Sequence, residues 1–419
     1  MAKVYLKTYG CTLNQADSDI MTGLLKNAGH TMVDNEKNAD VVVINSCTVK
    51  GVTENKILDR ILKLKSKNKK TVVAGCLTVA KEKIKRLNPA APLVWPSAIM
   101  NINNAVNDVI SGRITEYNES DRKDKLERIF TTPILRIPIG EGCTSNCFFC
   151  QTKIARPKLR SIQQNIILSW INVGVKTGAK EVQLTAMDTG VYGMDYGTNL
   201  PELMKCINNL DGVFLTRLGM INPQHALRMA DGVLEELSKP KFYKFIHTAV
   251  QSGSEKVVNE MKRAHTVAEF EKFVSKARKK IPEITIATDI IVGYPTETEH
   301  DFEQTMEMIK RIRPEVVNVS RFSPRPGTTA KLLKQLTTET IKKRSRLISK
   351  LIKKMKIEKN KKMLGKEFDV LITKKTKGYA GRTMNYTQIL IKNGNVKLGD
   401  SVKIRIVELK DESLIGQII

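Results

Sequence analysis

The architecture of this chain is set by one cysteine-rich segment, Gly142-Cys143-Thr144-Ser145-Asn146-Cys147-Phe148-Phe149-Cys150. Its cysteines have the spacing C-x3-C-x2-C, and they follow the apolar run Ile134-Leu135-Arg136-Ile137-Pro138-Ile139, which has the pattern of a strand. Gly140 and Gly142 end that strand. The sequence therefore predicts a loop that presents three thiols at the carboxyl end of a strand.

Three thiolates this close together suit an iron–sulfur cube, because its irons prefer sulfur ligands. No fourth cysteine lies nearby, so one iron of the cube would lack a protein ligand and would be open to a small molecule, as a catalytic zinc ion is. The alternative is a zinc site, but that needs a fourth Cys or His close by. The spacing favours the cluster.

Length and cysteine usage restrict the class of protein. A chain of 419 residues is long enough for two or three domains. It contains no apolar run long enough to span a membrane, and its first residues lack the pattern of a signal peptide, so we expect a cytoplasmic protein without a membrane partner. Its seven cysteines are too few and too scattered for a disulfide scaffold, which favours metal ligation.

The net charge is +27, with an isoelectric point near 9.7. A charge of this size indicates a polyanionic partner, RNA or DNA. The alternative explanation is a lysine-rich surface of the kind that thermophilic proteins carry.

In the first domain, residues 1–115, short apolar strands alternate with amphipathic helices, which predicts a parallel, flavodoxin-like sheet. A cysteine follows each of three strands: Cys11, Cys47 and Cys76. The carboxyl ends of parallel strands share one edge of the sheet, so we expect these thiols to meet and hold a second cluster with one open iron. Alternatively, each is a small core residue, as we expect for the isolated Cys206.

In the middle domain, residues 129–335, strand and helix patterns alternate six times, after a polar, linker-like run from Glu119 to Lys125. Six units are too few for a closed eight-stranded barrel, so we predict an open, partial (β/α)6 TIM-type barrel. Its functional site should lie at the carboxyl ends of the strands. Residues 336–362 predict a basic connecting helix.

Residues 363–419 contain short strands separated by turns, which predicts a small antiparallel β-barrel similar to oligonucleotide-binding modules. Basic and aromatic side chains alternate there, a mixture that suits RNA backbone contact and base stacking. The residues concerned are Lys374, Lys375, Lys377, Tyr379, Arg382 and Tyr386. The alternative is a structural cap that binds nothing.

The C-x3-C-x2-C run is the signature of radical S-adenosylmethionine (SAM) enzymes, and the middle domain resembles their core. In that family the open iron chelates SAM, and the reduced cluster cleaves it to a 5′-deoxyadenosyl radical. The resemblance implies that polar residues at the strand ends bind SAM, with Asp188 at its ammonium and Arg217 at its carboxylate. The complete expected set is Asp188, Arg217, Gln251, Ser252, Asp289 and Arg325. His247 is equally consistent with a structural histidine.

Over nearly its whole length the chain resembles the radical-SAM methylthiotransferases, which combine a three-cysteine N-terminal domain, a radical-SAM core and a C-terminal TRAM domain. The resemblance implies two [4Fe–4S] clusters and SAM as cofactors. The cluster on Cys143, Cys147 and Cys150 would generate the radical. The cluster on the three N-terminal cysteines would hold or donate the sulfur that replaces hydrogen at carbon 2 of an adenine, where a methylthio group is then completed.

Three segments are most similar to the archaeal and eukaryotic branch, which modifies threonylcarbamoyladenosine next to the tRNA anticodon: residues 184–193, 217–223 and 285–293. This branch implies the anticodon stem-loop of tRNA as partner, and ferredoxin or flavodoxin as electron donor. Two segments depart from the family pattern. They are His247-Thr248-Ala249-Val250-Gln251-Ser252, where His-Leu-Pro-Leu-Gln-Ser is usual, and Tyr294-Pro295-Thr296-Glu297-Thr298, where Phe-Pro-Gly-Glu-Thr is usual.

The same sequence features also fit other functions. The same chemistry acts on isopentenyladenosine in tRNA and on an aspartate of a ribosomal protein in other branches of the family. A different class of function is a non-catalytic, RNA-binding iron–sulfur protein.

Overall fold

The computed structural model describes residues 1–49, 51–119, 128–392 and 394–419. Most of the predicted polar linker, from residue 120 to 125, lies outside these ranges. In the described parts of the chain, no helix is long and apolar enough to cross a membrane.

The N-terminal part is a parallel sheet with helices on both faces. Its strands pair in the order β2-β1-β3-β4-β5-β6, which contains the flavodoxin-like order and confirms the predicted class. Strand β3 is buried at all six positions, as expected of a strand covered on both faces. The elements are β1 (Lys3–Thr8), α1 (Thr12–Asn27), β2 (Thr31–Met32), β3 (Val41–Ser46), α2 (Gly51–Ser66), β4 (Lys70–Gly75), α3 (Lys81–Leu87), β5 (Leu93–Val94), α4 (Ile102–Ser111) and β6 (Glu116–Tyr117).

The middle part follows with six barrel strands, a short hairpin of β8 and β9, and the helices between them. The elements are β7 (Ile134–Pro138), β8 (Gly140–Glu141), α5 (Thr152–Ala155), β9 (Arg160–Ser161), α6 (Gln164–Lys176), β10 (Glu181–Thr185), α7 (Leu200–Asn208), β11 (Leu215–Arg217), α8 (Pro223–Arg228), α9 (Ala230–Ser238), β12 (Phe245–His247), α10 (Glu255–Glu260), α11 (Val267–Lys280), β13 (Thr285–Val292), α12 (Glu299–Ile312) and β14 (Val316–Arg321).

These strands form an open barrel. Strands β7, β10 and β11 pair in parallel, as do β12, β13 and β14. Two parallel bridges, Thr216 with Phe242 and Ile221 with Thr248, join the two halves. The six strands therefore follow one another in chain order, which confirms the predicted partial barrel. Alternate side chains of β7 and β10, such as Leu135 and Val182, pack outward into the helix layer.

The C-terminal part consists of a long helix and a closed five-stranded barrel. The elements are α13 (Thr338–Lys361), β15 (Glu367–Lys375), β16 (Tyr379–Thr383), β17 (Gln388–Ile391), β18 (Ser401–Lys410) and β19 (Ser413–Ile418). The strands close in the order β15-β16-β17-β19-β18, and every pair is antiparallel except β17 with β19. The predicted small barrel is confirmed, although the sequence pattern did not predict β16.

One expectation for this barrel was wrong. Tyr386, predicted to be available for base stacking, packs instead against the base of the open barrel, with ring centres 4.7 Å from Tyr243 and 5.0 Å from Phe245. Its hydroxyl donates a hydrogen bond to Glu181 Oε1 (3.0 Å). A ring packed on both sides in this way is not available to a nucleotide. It fixes the C-terminal barrel to the middle domain.

Candidate functional site

The three N-terminal cysteines lie in equivalent positions on neighbouring strands. Cys11, Cys47 and Cys76 follow β1, β3 and β4, which are adjacent in the sheet. Two of these strands, β1 and β3, form the switch point at which this fold binds ligands. Cys47 and Cys76 are buried and Cys11 is exposed. We call the three sulfur atoms the N-terminal thiols.

Asn14 joins the three loops that carry the N-terminal thiols. This buried α1 side chain donates hydrogen bonds from Nδ2 to the carbonyls of Tyr9 (3.0 Å) and Ser46 (2.7 Å), next to the loops of Cys11 and Cys47. Its Oδ1 lies 3.6 Å from Cys76 Sγ, which donates to it. The side-chain amide of Asn14 therefore fixes the positions of all three loops relative to one another.

The N-terminal thiols also influence one another's ionisation. The pKa of Cys47 is raised to about 11, mainly by burial. The backbone N–H of Val49 (3.5 Å from Sγ) partly offsets this effect, and the charges of Cys11 and Cys76 add to it. Gly10 lets the loops approach closely, since a Cβ there would lie 2.7 Å from Cys47 Cβ. A buried thiol such as that of Cys47 remains protonated unless a metal centre stabilises its thiolate.

Cys143, Cys147 and Cys150, here called the barrel thiols, lie beyond β7 at the carboxyl ends of the barrel strands. Burial raises the pKa of Cys150 to about 11, followed by the charge of Cys147. Arg263, in the loop after α10, donates a hydrogen bond from Nη1 to Cys147 Sγ (3.3 Å). A cation is thus in direct contact with one thiol of the set.

Asp188 and Asn222 form a hydrogen-bonded pair beside the barrel thiols. Asn222 donates from Nδ2 to Asp188 Oδ2 (2.5 Å) and lies 3.9 Å from Cys143 Sγ, while its Oδ1 accepts from Arg263 Nη2 (2.8 Å). Asp188 Oδ1 accepts from the backbone N–H groups of Gly190 (3.0 Å) and Asn222 (3.1 Å), and its side chain has no exposed surface. The carboxylate of Asp188 therefore orients Asn222, and the amide of Asn222 is the group next to the thiols.

Thiol side chains are the ligands that the irons of an iron–sulfur cluster prefer, and each set offers three of them. Within the described ranges, no three His, Cys, Asp or Glu side chains converge closely enough to bind one metal ion. Besides burial, the charges of neighbouring thiols raise the pKa of Cys47 and that of Cys150, so the thiols of each set lie near one another. Beside the barrel thiols, Arg263 Nε and Gln224 Oε1 are buried without a hydrogen-bond partner among the described residues, as the lining of a polar-ligand site requires.

The structure places two of the expected SAM residues in packing roles around the fourth strand. Ser252 is fully buried, and its hydroxyl contacts Thr305 Oγ1 (3.2 Å) on α12. Gln251 has a left-handed backbone (φ 75°), and its main chain bonds to Asp289 and Ile291 of β13. These backbone bonds join the strands beside the thiols.

Arg217 and Asp289 both lie among other barrel side chains. The Arg217 guanidinium lies 5.2 Å from the ring centre of Phe245 and 5.5 Å from that of Tyr386, at the contact with the C-terminal barrel. Asp289 pairs with His247 Nε2 (3.0 Å) and accepts from Asn318 Nδ2 (2.9 Å). The structure thus gives His247 a carboxylate partner.

Buried ion pairs join the N-terminal and middle domains. Arg156, 1% exposed, lies between Asp17 of α1 and Glu141 of β8, and it also donates from Nη2 to Asn14 Oδ1 (3.2 Å). Arg325, expected at SAM, pairs with buried Glu54 of α2. Because a buried charge is stable only with its partner, these contacts fix the two domains relative to each other.

A cavity of about 290 Å³ lies where the loops of the two thiol sets meet. Thr48, next to Cys47, donates a hydrogen bond to Gln151, next to Cys150, at its wall. The rest of the lining comes from the start of α2, the cysteine loop and the start of α5, the ends of β13 and β14, and the loop beyond β14. The residues are Thr48, Val49, Gly51, Val52, Phe149, Cys150, Gln151, Thr152, Ile291, Val319, Ser320, Arg321, Phe322, Ser323 and Arg325. A ligand in this cavity would contact Cys150 of the barrel thiols and Thr48 and Val49, which directly follow Cys47 of the N-terminal thiols.

Sequence reasoning missed Asn14, Asn222, Arg263 and Arg156 as site residues. Asn222 carried a local signal, because an Asn before Pro223 is a typical helix N-cap at the end of a barrel strand. The other three act across long sequence separations, and the sequence alone gives no sign of their partners.

Three family models match separate parts of the chain. They are the uncharacterized protein family UPF0004 (residues 3–95), the radical SAM superfamily (137–309) and the TRAM domain (361–419). The radical SAM match implies a [4Fe–4S] cluster and SAM. Among solved structures, this chain is similar to the radical SAM methyltransferase TsrM of Kitasatospora setae, solved with tryptophan and a SAM analogue bound. The match covers 78% of this chain and 75% of that chain, with a TM-score of 0.56 and 11% sequence identity, and it shows a shared fold.

Relatives of this protein match nearly the whole length of the chain. Probable threonylcarbamoyladenosine tRNA methylthiotransferases of Archaeoglobus fulgidus and Pyrococcus horikoshii are 42% and 39% identical, covering 99% and 100% of this chain and 98% and 100% of theirs. The threonylcarbamoyladenosine tRNA methylthiotransferase of Danio rerio is 32% identical over 97% of this chain and 77% of its own. The chain therefore belongs to the threonylcarbamoyladenosine tRNA methylthiotransferase family of radical SAM enzymes.

Proposed function

We propose that this protein converts N6-threonylcarbamoyladenosine, next to the anticodon of tRNA, into its 2-methylthio derivative by inserting sulfur at carbon 2 and transferring a methyl group. The observation that carries the proposal is the cavity between the two thiol sets. It is lined by Thr48 beside Cys47 and by Cys150 itself. A reaction that joins radical formation and sulfur delivery at one carbon needs both centres beside one substrate.

The barrel thiols would hold the [4Fe–4S] cluster that, with SAM, supplies the radical for activating a C–H bond. Arg263 and Asn222 lie against Cys147 and Cys143 and would fix the thiolates and the bound SAM in one geometry. Asp188 holds Asn222 in place. The burial of Cys143 keeps water from one side of the centre, which protects a reactive intermediate.

The N-terminal thiols would hold a second [4Fe–4S] cluster associated with sulfur delivery. Asn14 supports this role because it sets the spacing of the three loops. Arg156 adds support: burial raises the pKa of Cys76, and the buried positive charge of Arg156 nearby partly offsets this effect.

The charge of +27 and the C-terminal TRAM barrel support tRNA as substrate, with the anticodon stem-loop entering the cavity. Lys374, Lys375 and Lys377 remain exposed on that barrel for backbone contact. A tRNA substrate places the activity in the cytoplasm, and a ferredoxin or flavodoxin would supply the electrons.

The test is the nucleoside content of tRNA from a strain in which the gene is deleted, before and after incubation with anaerobically reconstituted protein, SAM and reductant. Mass spectrometry should show the 2-methylthio derivative of threonylcarbamoyladenosine only after incubation. Cys147→Ala should lose both this product and 5′-deoxyadenosine, whereas Cys47→Ala should still release 5′-deoxyadenosine but lose the product.

Cys206→Ala is the matched control, because Cys206 lies in α7, outside both thiol sets. It should retain both products. Methylthiolation of isopentenyladenosine, or no change in any tRNA nucleoside, would contradict the proposal.

A further inference from the structure

Helix α13 has two faces of opposite character. Its inner face carries the buried side chains Arg344, Ile348 and Met355, which pack against the open barrel. Its outer face carries exposed cations at helical spacing. We call the following residues the α13 ridge: Lys342, Lys343, Arg346, Lys350, Lys353 and Lys354.

The α13 ridge has little local counter-charge. Glu358 attracts the ridge residue Lys354, but its carboxylate pairs with Arg313 (2.6 Å). The only acids of the helix are Glu339 and Glu358, one near each end. No ridge residue has a carboxylate of the described residues within 4 Å, whereas Lys356, just beyond the ridge, pairs with Glu412 (3.2 Å). Like charges three or four residues apart repel one another and destabilise a helix. An anion lying along the ridge would relieve that repulsion.

The helix holds the ridge in a fixed position at the rim of the open barrel. Arg344 donates from Nη1 to Glu297 Oε2 (2.8 Å) and from Nη2 to Glu299 Oε2 (3.0 Å), in the segment that follows β13. Ile341 packs directly on Gly293, where a Cβ would lie 2.5 Å from Ile341 Cγ1. The first turns of α13 are therefore fastened to the carboxyl end of β13, on the side of the thiol loops.

The ridge leads from the cavity to the C-terminal barrel. Helix α13 packs along β14, whose Val319 and Arg321 line the cavity. At its other end, Asn360 donates from Nδ2 to the carbonyl of Glu412 in the turn between β18 and β19 (3.0 Å). From 342 to 354 the ridge spans about 18 Å, at 1.5 Å per helical residue, which is enough for several phosphates of an RNA strand.

We propose that the α13 ridge binds the sugar-phosphate backbone of the RNA substrate on its path between the cavity and the C-terminal barrel. The identity of the partner as RNA rests on the proposed function. The contact is electrostatic and independent of base sequence, because α13 contains no aromatic residue to stack on a base. The ridge thus adds a second RNA contact to that of the TRAM barrel.

The test uses full-length, cluster-loaded protein and measures the dissociation constant for full-length tRNA at several salt concentrations. The ridge variant combines Lys342→Gln, Arg346→Gln, Lys350→Gln and Lys353→Gln. Each phosphate contact contributes about 0.7–0.9 to the magnitude of the slope of log K against log salt concentration. Removal of four such contacts should therefore make the slope of the variant shallower by about 3. Affinity at low salt should fall on the order of 100-fold.

A control variant neutralises four exposed lysines outside the ridge: Lys63→Gln, Lys65→Gln, Lys67→Gln and Lys272→Gln. It has the same net charge as the ridge variant and should keep nearly the wild-type slope. Equal slopes for the wild type and the ridge variant, or equal losses in both variants, would overturn the proposal. SAM cleavage without RNA should be unchanged in the ridge variant. Absence of a methylthiolated product with wild-type protein would count against the proposed function alone.

Discussion

Arg263 Nη1 donates a hydrogen bond to Cys147 Sγ at 3.3 Å, and Nη2 of the same guanidinium donates to Asn222 Oδ1 at 2.8 Å. One side chain therefore links a barrel thiol to the amide that lies beside Cys143. Hydrogen bonds to ligand sulfur atoms are a principal means by which a protein sets the potential of an iron–sulfur cluster.

Arg263→Ala should make the reduction potential of the barrel cluster more negative, because a donor and a positive charge that favour the reduced, more negative cluster are removed. A charge-assisted hydrogen bond contributes about 1.5–3 kcal/mol. The potential depends only on how much stronger this bond is to the reduced cluster than to the oxidised one, so the reduction potential should shift by on the order of tens of millivolts. A redox titration followed by electron paramagnetic resonance, without SAM, measures it. Arg263→Lys, which keeps the charge, should shift less. An unchanged potential in Arg263→Ala would show that the contact does not tune the cluster.

Asn14→Ala should release the N-terminal thiols from their common support. The carbonyls of Tyr9 and Ser46 would lose a buried donor, at a cost of about 1–3 kcal/mol for each group left unsatisfied. Reconstituted protein should then hold about four irons instead of about eight, and 5′-deoxyadenosine formation should persist without sulfur insertion. Full iron content in this variant would contradict the role of Asn14.

Tyr386→Ala should loosen the C-terminal barrel from the open barrel, because two aromatic contacts and the hydrogen bond to Glu181 are lost. The expected loss of stability is on the order of 2 kcal/mol, with faster hydrogen exchange in β12 and β16. Tyr386→Phe keeps the ring contacts and should lose only about 1 kcal/mol. Exchange as slow as in the wild type would mean that the two barrels are held by other contacts.

His265 should make the protein less stable in acid. Burial, together with the charge of Arg263, lowers the pKa of His265 to about 3. The pKa of a histidine in the unfolded chain is about 6.5. Between that pH and about pH 3 the unfolded chain binds a proton at this position that the folded chain does not. The free energy of unfolding therefore falls by up to about 1.4 kcal/mol for each pH unit as the pH is lowered. In thermal unfolding between pH 7 and 5, His265→Gln should lose less stability than the wild type. The matched control His300→Gln, at an exposed histidine, should behave as the wild type does.

The positions of all six candidate ligand cysteines followed from local patterns. Cys11, Cys47, Cys76 and Cys143 each lie a few residues after an apolar run, and Cys147 and Cys150 continue the same loop as Cys143. The parallel arrangement of such runs places their ends on one edge. The order β1-β3-β4 then makes Cys11, Cys47 and Cys76 neighbours, which topology alone predicts.

The surroundings of the thiols required the tertiary structure. Polar residues after a barrel strand have the same sequence pattern whether they face the cavity, the helix layer or another domain. The contacts of Ser252 with Thr305 of α12 and of Arg325 with Glu54 of the N-terminal domain are therefore visible only in the structure. Strand β16 was missed because Ala380 and Gly381 weaken its strand pattern, although Gly381 allows close packing against Val370.

The central claim is that two separate thiol sets each hold a four-iron cluster beside one cavity. Iron and sulfide analysis of anaerobically reconstituted protein tests it most directly, in the wild type and in two triple variants. One variant carries Cys11→Ala, Cys47→Ala and Cys76→Ala, and the other carries Cys143→Ala, Cys147→Ala and Cys150→Ala. We predict about eight irons per chain in the wild type and about four in each variant. A wild-type content of about four irons that the N-terminal triple variant leaves unchanged would contradict the claim.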